Sequence, residues 1–232
     1  MRAGKLLEIS VETVEAAVAA ESAGASRIEF CGDLSVGGIT PESEPMRAVR
    51  AQVGIPIFSM VRPRGGDFLY SAAEFDEMKA DIEDAKFLGM DGVVLGILTK
   101  DQNIDIERTC ELVACARPLP VTFHRAFDEC RNLELSLEAV IKTGATRILT
   151  SGGALSATEG AKTLSALVEQ ARERIVILPG AGINPQNVLQ VANTTRAKEF
   201  HSGLSSSLPR PYSNYEKFES EIRKLVELLA GV

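Results

Sequence analysis

The sequence has no long apolar run and no excess of positive charge. No apolar stretch reaches the roughly 18 residues that a membrane-spanning helix needs, so no membrane segment is predicted. The first residues, Met1 to Lys5, are not followed by an apolar stretch, and we expect no signal peptide. The net charge is −7, with lysine and arginine dispersed along the chain, which argues against nucleic acid or an anionic membrane as a partner.

Cysteine is scarce as well. The four cysteines, at positions 31, 110, 115 and 130, have spacings that match no zinc or redox motif. Cys110 and Cys115 lie in a helical pattern and are predicted to be reduced thiols of the core. Because nothing in this pattern indicates a disulfide framework, we expect a cytoplasmic protein.

The chain is rich in one repeated arrangement, a short apolar strand followed by a helical segment and a break of small residues. Strands are predicted at Leu6–Ser10, Arg27–Cys31, Ile55–Val61, Gly92–Gly96, Pro120–His124, Arg147–Thr150, Ile175–Pro179 and Glu199–His201. Helices are predicted between them, among them Val11–Ser22, Ser71–Leu88 and Asn214–Leu229. Eight such units in 232 residues favour one (β/α)₈ TIM barrel, residues 1–232 as a single domain, over an open sheet.

Polar residues occupy alternate positions in several of these strands. Side chains alternate across a strand, so the apolar set should face the outer helices and the polar set the barrel interior. The predicted inward set includes Glu8, Glu29, His124 and His201. Glutamates in a barrel interior need a cation, a hydrogen-bond network or a proton to offset desolvation.

Both histidines of the chain follow a phenylalanine at the predicted end of a strand. A histidine at such a position can act as a general acid or base near neutral pH. Asp128 follows closely enough after His124 to orient an imidazole or to begin a helix. The candidate catalytic residues are Glu8, Glu29, His124, Asp128 and His201.

Several loops after the strands have residues that suit an anion. Arg62 and Arg64 flank Pro63 in a glycine-bearing loop after strand 3, where they either bind an anion or pair with Glu8 and Glu29. Glycines after strands 6 and 7 leave backbone N–H groups available to a ligand, although they also suit tight turns, and Asn184 is predicted as a helix N-cap. The candidate ligand-binding residues are Arg62, Arg64, Arg125, Ser151, Gly152, Gly180 and Gly182.

Five segments together carry a family resemblance. They are Arg27–Cys31, Gly37–Pro41, Arg62–Phe68, Thr122–Asp128 and Ile148–Gly152. They resemble the CutC family, and the resemblance runs from about Leu7 to His201. It implies a TIM barrel, a cytoplasmic location, a homo-oligomer (dimer or tetramer) and a role in copper homeostasis.

The resemblance also implies a metal candidate. Some family members have a cysteine at the position of Ser10, proposed to bind Cu(I) together with the cysteine that matches Cys31. Only Cys31 is present here, so Cys31 is the candidate copper ligand. Cu(I) prefers soft thiolate or thioether ligands, which a single thiol beside glutamates and arginines supplies poorly.

Three hypotheses for function remain open at this point. The first is a copper-homeostasis protein that binds Cu(I) through Cys31 with His124 or His201. The second is an enzyme of lyase, isomerase or hydrolase type acting on a small anionic or phosphorylated molecule, which Arg62 and Arg64 would hold. The third is an interaction protein, which would be marked by a large apolar surface patch.

Overall fold

The computed structural model describes residues 5–204, 208 and 215–232. The strands are β1 (Leu6–Val11), β2 (Arg27–Phe30), β3 (Ile57–Met60), β4 (Gly92–Leu95), β5 (Val121–Phe123), β6 (Arg147–Thr150), β7 (Val176–Pro179) and β8 (Glu199–Ser202). The helices are α1 (Val14–Ser22), α2 (Ser43–Gln52), α3 (Ala72–Phe87), α4 (Ile106–Ala116), α5 (Leu133–Thr143), α6 (Ala161–Ala171), α7 (Val188–Thr195) and α8 (Tyr215–Ala230).

The strands form one parallel sheet that curls into a nearly closed ring. Its order is β7-β6-β5-β4-β3-β2-β1-β8, and β7 and β8 lie in contact at the seam. Strands that alternate with helices in this way form a TIM barrel, so the predicted fold class is confirmed. All eight predicted strands are present. β3 begins at Ile57 rather than Ile55, where Pro56 has no N–H to give to a sheet ladder.

Alternation along the strands divides the apolar core from the barrel interior. Leu7, Ile9, Ile28 and Phe200 belong to the large core cluster formed with the helices. Side chains at the alternate strand positions point into the barrel. A second and smaller cluster lies there and contains Cys31, Phe58, Met60 and Val94. The predicted inward polar residues are buried there as well.

Local signals explain where several helices begin. Thr13 caps α1 by accepting from the Ala16 N–H, and Ser71 forms a capping box with Glu74 at the start of α3. No helix within the described ranges has both the length and the apolar character needed to cross a membrane.

Two local predictions were right only in part. Asn184 caps the turn that leads into α7, where its side chain accepts from the Gln186 N–H and its carbonyl from the Val188 N–H, but α7 itself begins only at Val188. Cys110 and Cys115 are free thiols, but both are only partly buried in α4, and of the two it is Cys115 that packs against the core cluster. Positions five apart lie roughly 140° apart around a helix, so both thiols cannot face the core.

Candidate active site

A cavity of about 350 Å³ opens at the C-terminal ends of the strands. This is the end of a TIM barrel at which active sites lie. Its polar lining is Ser10, Glu29, Arg62, His124, Arg125, Asp128, Glu129 and His201. Its other lining residues are Leu34, Val36, Gly37, Met60, Gly66, Phe68 and Leu149. Six predicted site residues therefore line one cavity.

Beneath this cavity lies a buried network of charges centred on Glu8. Strand register places Arg27 and His201 on either side of it, because Glu8 pairs with Arg27 of β2 and with His201 of β8. Arg27 forms an ion pair with Glu8 and donates to Glu199 at 2.7 Å, while His201 Nδ1 lies 2.7 Å from Glu8 Oε1. Burial alone would raise the pKa of Glu8, but Arg27 and His201 lower it to about 2.

The cation beside Glu8 is therefore Arg27. The alternative in which Arg62 and Arg64 pair with Glu8 and Glu29 is wrong, because both arginines are engaged elsewhere. Arg27 is not among the residues that the sequence predicts for the site. The sequence does contain a signal for it: Arg27 and Glu29 are two positions apart in one strand, so their side chains point to the same side.

Glu29 and His201 form a second pair at the floor of the cavity. Glu29 Oε2 lies 3.9 Å from His201 Nε2 and 3.6 Å from the Cys31 sulfur. Burial raises the pKa of Glu29. Burial would lower the pKa of His201, but the neighbouring Glu29 and Glu8 raise it. Glu29 Oε1 is buried and has no hydrogen-bond partner within the described part of the chain.

His124 directly follows β5, and one of its ring nitrogens has no partner among the described residues. Its Nδ1 accepts the backbone N–H of Ala126 at 3.2 Å, whereas its buried Nε2 has no partner among the described residues. The ring of Phe68 lies 4.9 Å away, centroid to centroid. Burial and then the charge of Arg62 lower the pKa of His124 to about 3. Gly96 provides room for the ring, since a Cβ there would lie 2.5 Å from Nδ1.

Arg62 is fixed in the cavity wall by backbone carbonyls. It donates to the carbonyls of Val36, Gly38 and Gly66 at 3.0, 3.1 and 2.7 Å, and its guanidinium lies over Phe68. Its buried Nε has no partner in the described ranges.

Arg64 points away from the cavity. Its guanidinium pairs with Glu74 at 2.6 Å and with Asp67 at 3.0 Å. Of the two arginines in this loop, Arg62 is therefore the one that faces the cavity.

The carboxylate of Asp128 occupies the turn after β6, where the glycines predict N–H groups available to a ligand. Its carboxylate accepts from the Ser151 and Gly153 N–H groups, each at 3.0 Å, and from the Thr150 hydroxyl. The Gly152 N–H donates to the Thr150 hydroxyl oxygen at 2.8 Å. Arg125 Nε donates to Asp128 at 2.9 Å. Asp128 thus ties the β5 and β6 loops together and orients Arg125 at the rim.

The remaining predicted residues lie beside the cavity. Gly180 and Gly182 are not among its described lining, and the Gly180 N–H donates to the Thr150 carbonyl. Cys31 packs with Met60 in the barrel interior. Cys130 belongs to the outer core cluster and donates to the Ala126 carbonyl.

The fold defines a TIM-barrel protein, and a cavity at the ends of its strands is lined by buried carboxyl, imidazole and guanidinium groups. The chain belongs to the CutC family, whose sequence pattern matches residues 5–206. The human copper homeostasis protein cutC homolog is 49% identical over 204 residues, which cover 88% of this chain and 75% of that protein. A CutC family protein of Chromobacterium violaceum is 43% identical over 97% of this chain and 98% of its own length.

Solved structures agree with this assignment. A CutC protein from Streptococcus agalactiae superposes with a TM-score of 0.82 at 34% identity, covering 86% of this chain and 98% of its own. Phosphoribosyl anthranilate isomerase from Thermotoga maritima has a TM-score of 0.64 at 13% identity, covering 98% of this chain and 100% of its own, and shares the fold alone.

Proposed function

We propose that the cavity is the active site of an enzyme that binds a small anionic molecule and moves a proton on it. One observation carries this proposal. Three buried polar atoms of the cavity residues, Glu29 Oε1, Arg62 Nε and His124 Nε2, have no partner among the described residues. A buried polar group without a partner costs about 1–3 kcal/mol, so a cluster of them in one cavity favours completion by a ligand.

Two arginines supply the attraction for an anion. Arg62 is buried and held in place by backbone carbonyls, so its orientation does not depend on the ligand. Arg125 is 46% exposed at the rim, where Asp128 orients it. A guanidinium held in this way recognises carboxylates and related groups through paired N–H donors.

Glu29 supplies the proton chemistry. Its pKa is raised by burial, which brings a carboxyl closer to neutral pH, where it can accept a proton and return it. The reaction class is therefore proton transfer, as in lyases and isomerases.

Replacement of Arg62 by methionine tests anion binding. We expect oxalate, titrated calorimetrically in metal-free buffer, to bind at least about tenfold more weakly to Arg62→Met than to the unaltered chain, because the buried cation is lost. The matched control is Arg108→Met, since Arg108 also donates to a backbone carbonyl and lies over a phenylalanine, outside the cavity lining. Equal affinity in the two variants would contradict the proposal.

Copper handling is the second candidate, favoured by the human relative, a copper homeostasis protein, and by one cluster in this chain. Glu8, Glu29 and His201 each offer a ligand atom within 4.8 Å of the others, and the Cys31 sulfur lies beside Glu29. The donor set is a poor fit to Cu(I), which prefers thiolates and thioethers. Glu8 is moreover engaged by Arg27 and His201 already, so a cation there would compete with both.

Anaerobic titration with Cu(I) against a competing chelator decides this candidate. If copper is the cargo of this site, Cys31→Ser should weaken Cu(I) binding at least about tenfold, since the thiolate is the softest donor of the set. Cys110→Ser is the control, because Cys110 lies on α4, outside the barrel. Equal Cu(I) affinity in both variants would remove Cys31 as a copper ligand.

The homo-oligomer, the cytoplasmic location and the absence of a nucleic-acid partner stay predictions. Gel filtration with light scattering measures the first of them directly.

A further inference from the structure

The hydrogen bonding of His124 defines which of its ring nitrogens holds the proton. The Ala126 N–H, which can only donate, points at Nδ1 at 3.2 Å. Nδ1 must therefore present its lone pair, and a neutral imidazole then has its proton on Nε2. That Nε2 is the buried atom without a partner within the described ranges.

We propose that His124 acts as a neutral hydrogen-bond donor through Nε2, and that with Arg62 Nε it binds the oxygen of a small carbonyl or carboxylate compound. This inference rests on the proposed function, in which the cavity takes a small molecule. It assigns His124 to binding of an oxygen rather than to proton abstraction.

Both donor residues line the cavity and lie against the same ring, that of Phe68. The Arg62 guanidinium carbon lies 4.7 Å from the centre of the Phe68 ring, and the His124 ring centre lies 4.9 Å from it. Both residues line the cavity, and both carry a buried nitrogen without a partner among the described residues. Two fixed donors that line one cavity are suited to an oxygen that bears or develops negative charge.

His124 remains neutral under physiological conditions. Burial and the neighbouring Arg62 both disfavour the imidazolium and lower its pKa to about 3. A histidine in this state polarises an oxygen without giving up its proton. When the Glu29 carboxylate takes the proton from a carbon next to a carbonyl, the C–H electron pair shifts into the enolate and the negative charge moves from Glu29 onto the oxygen that these two donors would hold.

The surroundings favour a carbonyl or carboxylate over a phosphate. The turn after β6, where a barrel often binds phosphate, already holds the carboxylate of Asp128. Among the described residues that line the cavity, Arg62 has a buried guanidinium, and Glu29 lies in the same cavity. With that turn occupied, a phosphate would lack the backbone N–H groups that usually bind it in a barrel, whereas one carbonyl or carboxylate oxygen needs only the two donors.

Nitrogen NMR of the intact chain labelled with ¹⁵N-histidine tests the protonation state directly, because the chain has only two histidines. We expect one ring, assigned by its loss in His124→Gln, to have its proton on Nε2 and to show no titration between about pH 5.5 and 8.5. A proton on Nδ1, or titration of this ring near neutral pH, would overturn the inference even if Arg62→Met still abolished anion binding.

Oxalate and inorganic phosphate then separate the ligand classes. We expect oxalate to shift the Nε2–H resonance and to bind at least about tenfold more weakly to His124→Met, while His124→Gln, which keeps an N–H donor, retains most of the affinity. Binding of phosphate but not oxalate would overturn the ligand class alone. Binding of neither, with the Nε2 proton in place, would overturn the ligand assignment together with the proposed function.

Discussion

Replacing Arg27 by methionine should lower the free energy of unfolding by about 3–5 kcal/mol, the largest effect that we expect of any single change in this chain. Glu8 is fully buried and Glu199 is largely so, and both accept from this one guanidinium. Methionine has a similar length but leaves two carboxylates without this cation. Urea unfolding at neutral pH measures the loss.

The pH dependence of stability separates this electrostatic role from simple packing. The pKa of Glu8 is lowered to about 2 in the fold, against about 4.3 in an unfolded chain. Its stabilisation is therefore present above about pH 4.3 and is lost as the pH falls toward 2. We expect a shallower acid loss in Arg27→Met than in Arg50→Met, in which a more exposed pair with Asp91 is broken instead. Equal acid profiles and equal stabilities in the two variants would contradict the account.

Replacing Gly96 by alanine should weaken ligand binding in the cavity, although it removes no polar side chain. The added Cβ would lie 2.5 Å from His124 Nδ1 and 2.6 Å from Cε1, so the ring must move and its bond from the Ala126 N–H must break. We expect a loss of about 1–3 kcal/mol in unfolding free energy. Oxalate affinity should fall at least about tenfold, measured by calorimetry.

Gly54→Ala is the control for this change. A Cβ at Gly54 would meet only the end of the Glu21 side chain, at 3.3 Å, far from the cavity lining. If Gly96→Ala kept the oxalate affinity of Gly54→Ala, the position of the His124 ring would not matter for binding.

The strands and the facing of their side chains could be predicted from sequence. Short apolar segments separated by helical stretches define the eight strands, and alternation within them sends Glu8 and His201 inward. Both signals are local, because they depend on spacing along a single strand.

Partners on neighbouring strands and loops could not be predicted in the same way. Arg27 rather than Arg62 neutralises Glu8 because register places Glu8 between β2 and β8, and register is set by the whole ring. The sequence likewise predicts that Asp128 orients the His124 imidazole or begins a helix. Its carboxylate instead receives the N–H groups of the next loop, 23 and 25 residues further along the chain.

The most direct test of the central claim is a crystal structure of the chain grown with oxalate in metal-free buffer. The account predicts an oxalate oxygen within about 3.2 Å of both His124 Nε2 and Arg62 Nε, at the ends of the strands. Oxalate bound elsewhere, or bound in the cavity without contact to His124 Nε2, would contradict it.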